Sequence, residues 1–212
     1  MSPYEQLIDG YRQFRRDAYA SQVTAYRRLA EGQQPNTMIV ACCDSRVDPA
    51  TIFAAGPGEL FIVRNVANLV PPFTDDPFHH GTSAALEFAV ENLKIDQIVV
   101  MGHGDCGGIQ ACMEAGHGKP ASYFVGPWVE IAAPARDEVM MTQNRTSEID
   151  QRRMLERAAI LLSLDNLKTF PFVREAMETR GLKLEGAWFS VAEGALYWLD
   201  DESREFNMVP AG

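Results

Sequence analysis

The chain has 212 residues, enough for one compact domain, and its 46% hydrophobic and 23% charged residues are typical of a globular protein. Its 29 acidic and 19 basic residues give a net charge of -10, which argues against nucleic acid or an anionic membrane as a partner. The sequence shows no secretory signal and no run of ~20 apolar residues, so we expect a cytoplasmic protein that does not enter a membrane.

The first predicted element is a helical arm over residues 1–32. Ser2 can cap the helix, Pro3 suits its first turn, and Glu5 completes a capping box, while Gly32 is expected to end it. An apolar stripe recurs along the arm at steps of three and four residues: Tyr4, Leu7, Ile8, Tyr11 and Phe14. This stripe can pack on the core of the same chain or on a partner subunit, and the sequence leaves both options open.

Three apolar runs further along predict buried strands: TMIVAC, GELFIVRN and DQIVVMGHG. The segment TSAALEFAVENLKI, between the second and the third run, has helical spacing. An alternation of apolar strands with helices is typical of a parallel sheet. We therefore predict an α/β fold, with a central, mainly parallel β-sheet flanked by helices and an N-terminal helical arm.

The second half of the chain is predicted to be mostly helical over residues 127–178, with an interruption at Pro171. We interpret the stretch RRMLER within it as a solvated helix face. LEGAWFSVAEGALYWLD predicts two late strands, and REFNMV predicts an edge strand. No repeat or linker divides the chain, so we predict a single domain over 1–212, in which an α/β core over 36–212 follows the arm.

Reactive side chains follow two of the predicted strands. CCDSR lies at positions 42–46, and GHGDCGG places His103 and Cys106 three residues apart. Because parallel strands bring their carboxyl ends to one edge of a sheet, the two clusters can meet there. Gly107 and Gly108 come directly afterwards, and we expect them to let the backbone turn tightly.

Two thiolates and an imidazole, from Cys42, Cys106 and His103, are donors that zinc prefers. Three protein ligands leave a fourth position open, which is the pattern of a catalytic zinc rather than a structural one. The spacing alone also allows that no metal binds. Likewise, the sequence also allows that Asp44 and Arg46 form an ion pair with a purely structural role.

The remaining cysteines and histidines have simpler interpretations. Cys43 and Cys112 are expected to be buried core thiols, because a reducing compartment does not favour disulfides. His79, His80 and His117 lie in predicted loops and are expected to be solvated.

The blocks CCDSR, VRNVANLVPP, GTSAALEFAV and GHGDCGG, in this order, resemble those of the β-class carbonic anhydrases. The resemblance runs from about Gln33 to Gln110. It implies a mainly parallel sheet flanked by helices, and a homodimer, or a dimer of dimers, with active sites at the subunit interface. It also implies one Zn²⁺ per subunit and a catalytic dyad. The implied ligands are Cys42, His103 and Cys106, and the implied dyad is Asp44 and Arg46.

Within that family the sequence is similar to the plant-like branch. The other branch has a non-catalytic bicarbonate site that needs a tryptophan and a tyrosine where this chain has Ile39 and Phe189. Arg64 matches the third member of that site but occurs in both branches. We therefore expect the inhibitory bicarbonate site to be absent.

The resemblance also implies a substrate pocket, formed by Gln33, Phe61, Val66, Phe88 and Gly107. Gln33 matches a glutamine that hydrogen-bonds substrate, and Phe61 and Val66 match apolar pocket positions. Phe88 departs from the tyrosine of plant members, which removes a hydroxyl near the substrate.

The implied reaction is the reversible hydration of carbon dioxide to bicarbonate and a proton. Zinc-bound hydroxide would attack CO2 in the apolar pocket, since zinc lowers the pKa of bound water towards ~7. Asp44 would orient this hydroxide, while Arg46 would keep Asp44 ionised and away from the metal. His79 or His80 is our candidate for carrying the proton away.

Two alternatives stay open at this point. The same zinc site can hydrolyse carbonyl sulfide or carbon disulfide if the pocket admits them. Cys42 and Cys43 can instead belong to a non-catalytic zinc-binding or thiol-sensing module, although the dyad and the open fourth position argue against it.

Overall fold

A computed structural model of the chain describes residues 1–76, 78–119, 122–141 and 147–211. Within these residues, six strands form one sheet. They are β1 Thr37–Cys42, β2 Leu60–Asn65, β3 Gln97–His103, β4 Lys183–Ser190, β5 Ala195–Leu199 and β6 Phe206–Met208.

Ten α-helices of the described residues form the arm and flank the sheet. They are α1 Pro3–Arg16, α2 Ala18–Ser21, α3 Val23–Leu29, α4 Pro49–Ile52, α5 Gly81–Glu87, α6 Gly107–Gly116, α7 Val125–Val129, α8 Ala133–Met141, α9 Glu148–Leu167 and α10 Pro171–Arg180. A 3₁₀ turn at Val66–Asn68 follows β2, and a π-helical turn at Phe88–Asn92 continues α5.

The strand order is β2-β1-β3-β4-β5-β6. The first four strands are parallel, whereas β5 and β6 run antiparallel to their neighbours. Cys42 lies opposite Asn65 of β2, and Ala41 lies opposite Met101 of β3. The carboxyl ends of β1 and β3 are therefore side by side, at the edge where both reactive clusters leave the sheet.

The central strands are buried on both faces, which explains why they read as continuous apolar runs. Met38 and Val40 of β1 belong to a core cluster with residues of α5, α9 and α10. Ile39 and Ala41 point to the opposite face, where Phe53 packs against them.

The predicted α/β fold with a mainly parallel sheet is confirmed. The run TMIVAC coincides with β1, the two late strands are β4 and β5, and REFNMV contains β6. The predicted interruption at Pro171 is confirmed, because this residue begins α10. Positions 142–146 of the predicted helical segment lie outside the described residues.

The arm consists of three helices rather than one, because the helix breaks at Asp17 and again at Gln22. The predicted capping box is present: Ser2 N donates to Glu5 Oε2 at 2.6 Å, and Glu5 N donates to Ser2 Oγ at 3.3 Å. No residue of α1 is buried, and Leu7 is 75% exposed. The apolar stripe of the arm thus does not pack on the core of its own chain.

None of the helices in the described part of the chain has the length and apolar character needed to cross a membrane.

Candidate metal centre

The three predicted ligands meet at the carboxyl edge of the sheet. Cys42 is the last residue of β1, His103 is the last residue of β3, and Cys106 directly precedes α6. All three are at most 5% exposed. One ligand atom from each lies within 4.8 Å of the other two, and the described residues contain no second group of this kind.

The donor geometry fits a zinc ion. The Cys42 and Cys106 sulfurs are 3.9 Å apart, and two tetrahedral Zn–S bonds of about 2.3 Å would separate them by about 3.8 Å. His103 Nδ1 donates to the carbonyl oxygen of Gly104 at 2.9 Å. Its Nε2 is buried without a hydrogen-bond partner, so a lone pair there is free for a metal.

The two sulfurs and the imidazole ring shift one another's pKa values. The hydrogen bond from Cys106 lowers the pKa of Cys42, although burial opposes this. The same hydrogen bond, together with burial, raises the pKa of Cys106. Burial by itself lowers the pKa of His103, but the adjacent Cys42 outweighs it and raises that pKa. Metal binding would displace these protons, because zinc takes thiolate and neutral imidazole.

Asp44 and Arg46 form a bidentate ion pair beside the ligands. Arg46 Nε donates to Asp44 Oδ1 at 2.9 Å, and Nη2 donates to Oδ2 at 2.7 Å. The backbone amide of Arg46 also donates to Oδ1, at 2.9 Å. These hydrogen bonds hold the pKa of Asp44 well below its usual range, so its carboxyl group stays ionised.

Two guanidinium groups fix the backbone around the ligands. Arg46 Nη2 donates to the carbonyl oxygen of Asp105 at 3.0 Å, which ties the loop after β1 to the loop after β3. Arg64 of β2 donates to the carbonyl oxygens of Cys42 at 2.9 Å and Asp44 at 2.6 Å. Because the guanidinium group of Arg64 binds the backbone of the loop after Cys42, it serves here as a structural hydrogen-bond donor.

Comparison with known proteins identifies the family. The family model described as carbonic anhydrase matches residues 37–196. Beta carbonic anhydrase 3 of Arabidopsis thaliana is 36% identical over 98% of this chain and 80% of its own length. The chain belongs to the β-class carbonic anhydrases.

Solved structures of this class share the fold. The β-carbonic anhydrase CcaA is 28% identical, with a TM-score of 0.91 over 98% of this chain and 92% of its own. A tetrameric β-carbonic anhydrase from Sordaria macrospora is 26% identical, with a TM-score of 0.80 over 92% of this chain and 96% of its own. The predicted family and enzyme class are thus confirmed.

In this carbonic anhydrase, two of the predicted substrate residues lie at the metal edge. Val66 directly follows Asn65, which is opposite Cys42 in the register of β1 and β2. Gly107 follows Cys106 and begins α6.

The other predicted substrate residues lie towards the opposite end of the sheet. Phe61 is opposite Met38 in β1, so it is about 13 Å along the strand from the level of Cys42. Phe88 is 44% exposed and stacks on Phe61, with ring centroids 5.9 Å apart. Gln33 is exposed and lines a surface hollow beside the turn before β2. One chain therefore does not bring these three side chains to its own ligands.

The left-handed residue of the ligand loop is Asp105, whereas the expected tight turn at Gly107 and Gly108 is the start of α6. Asp105 has a φ of 57°, whereas neither glycine has a positive φ. Gly108 is needed for close packing instead. A Cβ there would lie 2.7 Å from Val66 Cγ1 and 2.9 Å from Ala67 Cβ, while a Cβ at Gly107 would meet nothing within 4 Å.

Cys112 is buried as predicted, but the prediction that Cys43 is buried is wrong. Successive residues of an extended chain point to opposite sides, so Cys43 turns outward where Cys42 turns inward. The three loop histidines are exposed, as predicted. A surface groove next to the metal edge is lined in part by Cys43, Val66, His79, His80 and Trp128. The proton-carrying role of His79 or His80 stays a prediction.

Glu156 is the neighbour of the ligands that sequence analysis missed. It lies in RRMLER, so the interpretation of that stretch as a solvated face is wrong at this position, where the residue is 2% exposed. Its Oε1 accepts from Cys106 N at 3.3 Å, its Oε2 accepts from Trp188 Nε1 at 3.2 Å, and burial raises its pKa. The signal was its spacing, because the residues three, four and seven positions further along α9 are all buried.

Proposed function

We propose that this chain catalyses the reversible hydration of carbon dioxide to bicarbonate and a proton, with one zinc ion held by Cys42, His103 and Cys106. The supporting observation is the buried convergence of two sulfurs and an unpartnered imidazole nitrogen in a carbonic anhydrase. A zinc ion bound there would lower the pKa of a water molecule to about 7 and so supply hydroxide at neutral pH.

Asp44 orients the nucleophile in this proposal. Within the described chain its Oδ2 accepts a hydrogen bond from Arg46 Nη2, which leaves a lone pair for a hydrogen bond from the attacking water. Arg46 keeps the carboxylate ionised and prevents it from turning to the metal as a fourth ligand. The dyad is thus catalytic through Asp44, and Arg46 positions Asp44.

The substrate wall requires a second copy of the chain. Carbon dioxide is small and apolar, so it needs an apolar wall next to the nucleophile, and Val66 is the predicted wall residue that lies at this edge. The stacked rings of Phe61 and Phe88 are apolar, and Phe88 is 44% exposed, yet they lie towards the other end of β2.

We propose that the β2 edges of two subunits pair antiparallel about a two-fold axis. β2 is the outermost strand, with β1 as its neighbour in the sheet of the described residues. Antiparallel pairing sets the amino end of one β2 beside the carboxyl end of the other. Phe61 and Phe88 of the partner subunit would then wall this chain's site, and Gln33 of the partner subunit could donate to the developing bicarbonate.

We also propose that the partner subunit covers the exposed stripe of the arm in such a dimer. In a single chain Leu7 is 75% exposed, which leaves an apolar helix face in water. A further pairing into a dimer of dimers is part of the proposal, and the tetrameric Sordaria macrospora relative supports it.

Elemental analysis and stopped-flow hydration of CO2 test the proposal together. We expect one zinc per chain in the purified protein. Asp44→Asn should keep that zinc but lower kcat/KM by about 10²-fold, since it removes a positioned proton acceptor. The matched control is Asp96→Asn, an exposed aspartate at the other end of β3.

Absence of bound metal, or full activity of Asp44→Asn, would overturn the proposal. A faster turnover of carbonyl sulfide than of carbon dioxide would instead assign the site to the hydrolase alternative.

A further inference from the structure

The loop between the second and third ligands has a backbone conformation that needs support. Asp105 has a φ of 57°, in the left-handed region that non-glycine residues rarely adopt. Two arginines hold it from different sides. Arg46 Nη2 donates to its carbonyl oxygen at 3.0 Å, and Arg152 Nη2 donates to its Oδ1 at 2.5 Å.

The next residue is held from the same helix as Arg152. The backbone amide of Cys106 donates to Glu156 Oε1 at 3.3 Å. Arg152 and Glu156 are both in α9, four residues apart, so they lie on one face in successive turns. Two turns of α9 thus contact two consecutive residues of the ligand loop.

Glu156 also connects the ligand loop to the sheet. Its second oxygen accepts from Trp188 Nε1 at 3.2 Å. Trp188 lies in β4 opposite Gly102, the residue before His103 in β3. The path from Trp188 through Glu156 to the Cys106 amide therefore fixes the third ligand relative to the strand that carries the second.

The chemistry of this position favours a carboxylate. Both partners of Glu156 are N–H donors, so the side chain must offer two acceptors, and a glutamine offers one oxygen only. No lysine or arginine forms a salt bridge with Glu156 among the described residues. Burying a carboxylate without a lysine or arginine partner is destabilising, so its presence calls for a role that a neutral residue would not fill.

We propose that Glu156 is a positioning residue, which fixes the Cys106 amide and thereby aims the Cys106 thiolate at the metal. Arg152 supports the same loop by holding Asp105. This inference rests on the proposed metal site, and it adds a support for the ligands that comes from α9 rather than from the strand ends.

The test is zinc affinity, measured by chelator competition on the purified full chain, with the cobalt(II) absorption spectrum as a second readout. Glu156→Gln should weaken zinc binding by about 10- to 100-fold, as loss of a group that orients a ligand does. It should also shift the cobalt(II) spectrum, because the Cys106 sulfur moves. Glu148→Gln, an exposed change at the start of α9, is the control and should alter neither.

A rescue variant separates positioning from general destabilisation. Trp188→Phe removes the second donor, so in Glu156→Gln/Trp188→Phe the glutamine oxygen can serve the Cys106 amide alone. We expect this double variant to bind zinc more tightly than Glu156→Gln and close to Trp188→Phe. If Glu156→Gln does not fold, Arg152→Gln keeps Glu156 and tests the same loop, with a weaker but measurable loss of affinity.

The outcomes distinguish this inference from the proposed function. A wild-type chain without zinc contradicts the proposed function. A wild-type chain with one zinc, together with a Glu156→Gln variant of equal affinity and unchanged cobalt(II) spectrum, contradicts the positioning role alone. Equal loss of affinity in Glu156→Gln and in the double variant would also contradict it.

Discussion

The two ends of the β1–β2 pair differ in how complete they are. At the carboxyl end, Cys42 is 5% exposed and lies in a buried group with His103 and Cys106 that could hold a metal ion. At the amino end, Phe88 and Gln33 are exposed, and the ring of Phe61 is covered on one side by Phe88. The contrast supports the proposal that one chain supplies all three metal ligands and that a second copy completes the wall of the substrate pocket.

The largest expected effect comes from removing one predicted zinc ligand at the carboxyl end of the strands. Cys106→Ser should reduce zinc content to background and hydration to the rate of buffer, because a serine hydroxyl does not replace a thiolate ligand. Elemental analysis and stopped-flow hydration measure both. Cys43→Ser is the matched control, since this neighbouring thiol is exposed and outside the ligand group. Stoichiometric zinc in Cys106→Ser would show that the ligand set is wrong.

The next effect concerns the amino end. Truncating both rings, in Phe61→Ala/Phe88→Ala, should lower kcat/KM by about 10- to 200-fold through loss of apolar contact with substrate, while zinc content stays unchanged. Co-expression with Asp44→Asn chains should then restore activity. Half of the dimers would be mixed, each with one intact site, so about a quarter of wild-type activity is expected. Activity no greater than the average of the two variants would argue against a shared site.

A smaller effect, on stability, is expected from adding a methyl group at one of two neighbouring glycines at the carboxyl end. Gly108→Ala should lower the free energy of unfolding by about 1–3 kcal/mol, because its Cβ would lie 2.7 Å from Val66 Cγ1. Gly107→Ala has open space, so it should change stability by less than about 1 kcal/mol, in the stabilising direction. Urea unfolding of the two variants measures the difference. Equal stabilities would mean that α6 does not approach the 3₁₀ turn as closely as described.

The smallest effect compares two helix caps. Asp48 accepts from Thr51 Oγ1 at 2.8 Å and from Thr51 N at 2.9 Å, which lowers the pKa of Asp48. A lowered folded-state pKa gives stability that is present above the unfolded value of ~3.9 and is lost as pH falls through the folded value. Asp48→Asn should therefore flatten the loss of stability below pH ~4, with a change under about 1 kcal/mol at pH 7. Ser2→Ala, in the arm, should leave that acid profile unchanged, and urea titrations from pH 3 to about 7 test both expectations.

The sequence was sufficient for features that depend on local pattern. Apolar runs located β1, β2 and β3, and the rule that parallel strands bring their carboxyl ends to one edge was enough to predict that Cys42 and His103 meet. It did not predict contacts that depend on tertiary packing. Glu156 reaches the Cys106 amide from a helix 50 positions further along, and this approach is visible only after α9 has packed on the sheet.

The same limit explains the other errors. The left-handed conformation of Asp105 is supported by two arginines from distant segments, so the local sequence does not predict it. The nearby glycines were expected to form the tight turn instead. The apolar stripe of the arm was not such an error, because the sequence left its packing partner open, and within the described chain the stripe is exposed. The apolar spacing predicted the helix, but spacing alone does not say which surface packs against an apolar face.

The two edge strands of the sheet, β2 and β6, differ in how well they can pair with a further strand. The β2 edge is six residues long, whereas β6 at the other edge has three residues, and Pro210, two positions after β6, offers no amide hydrogen. In the proposed dimer, joining the two β2 edges would leave the short β6 edges facing outward on both sides. Such a pair would offer little edge for further strand addition, so the proposed pairing would stop at two sheets.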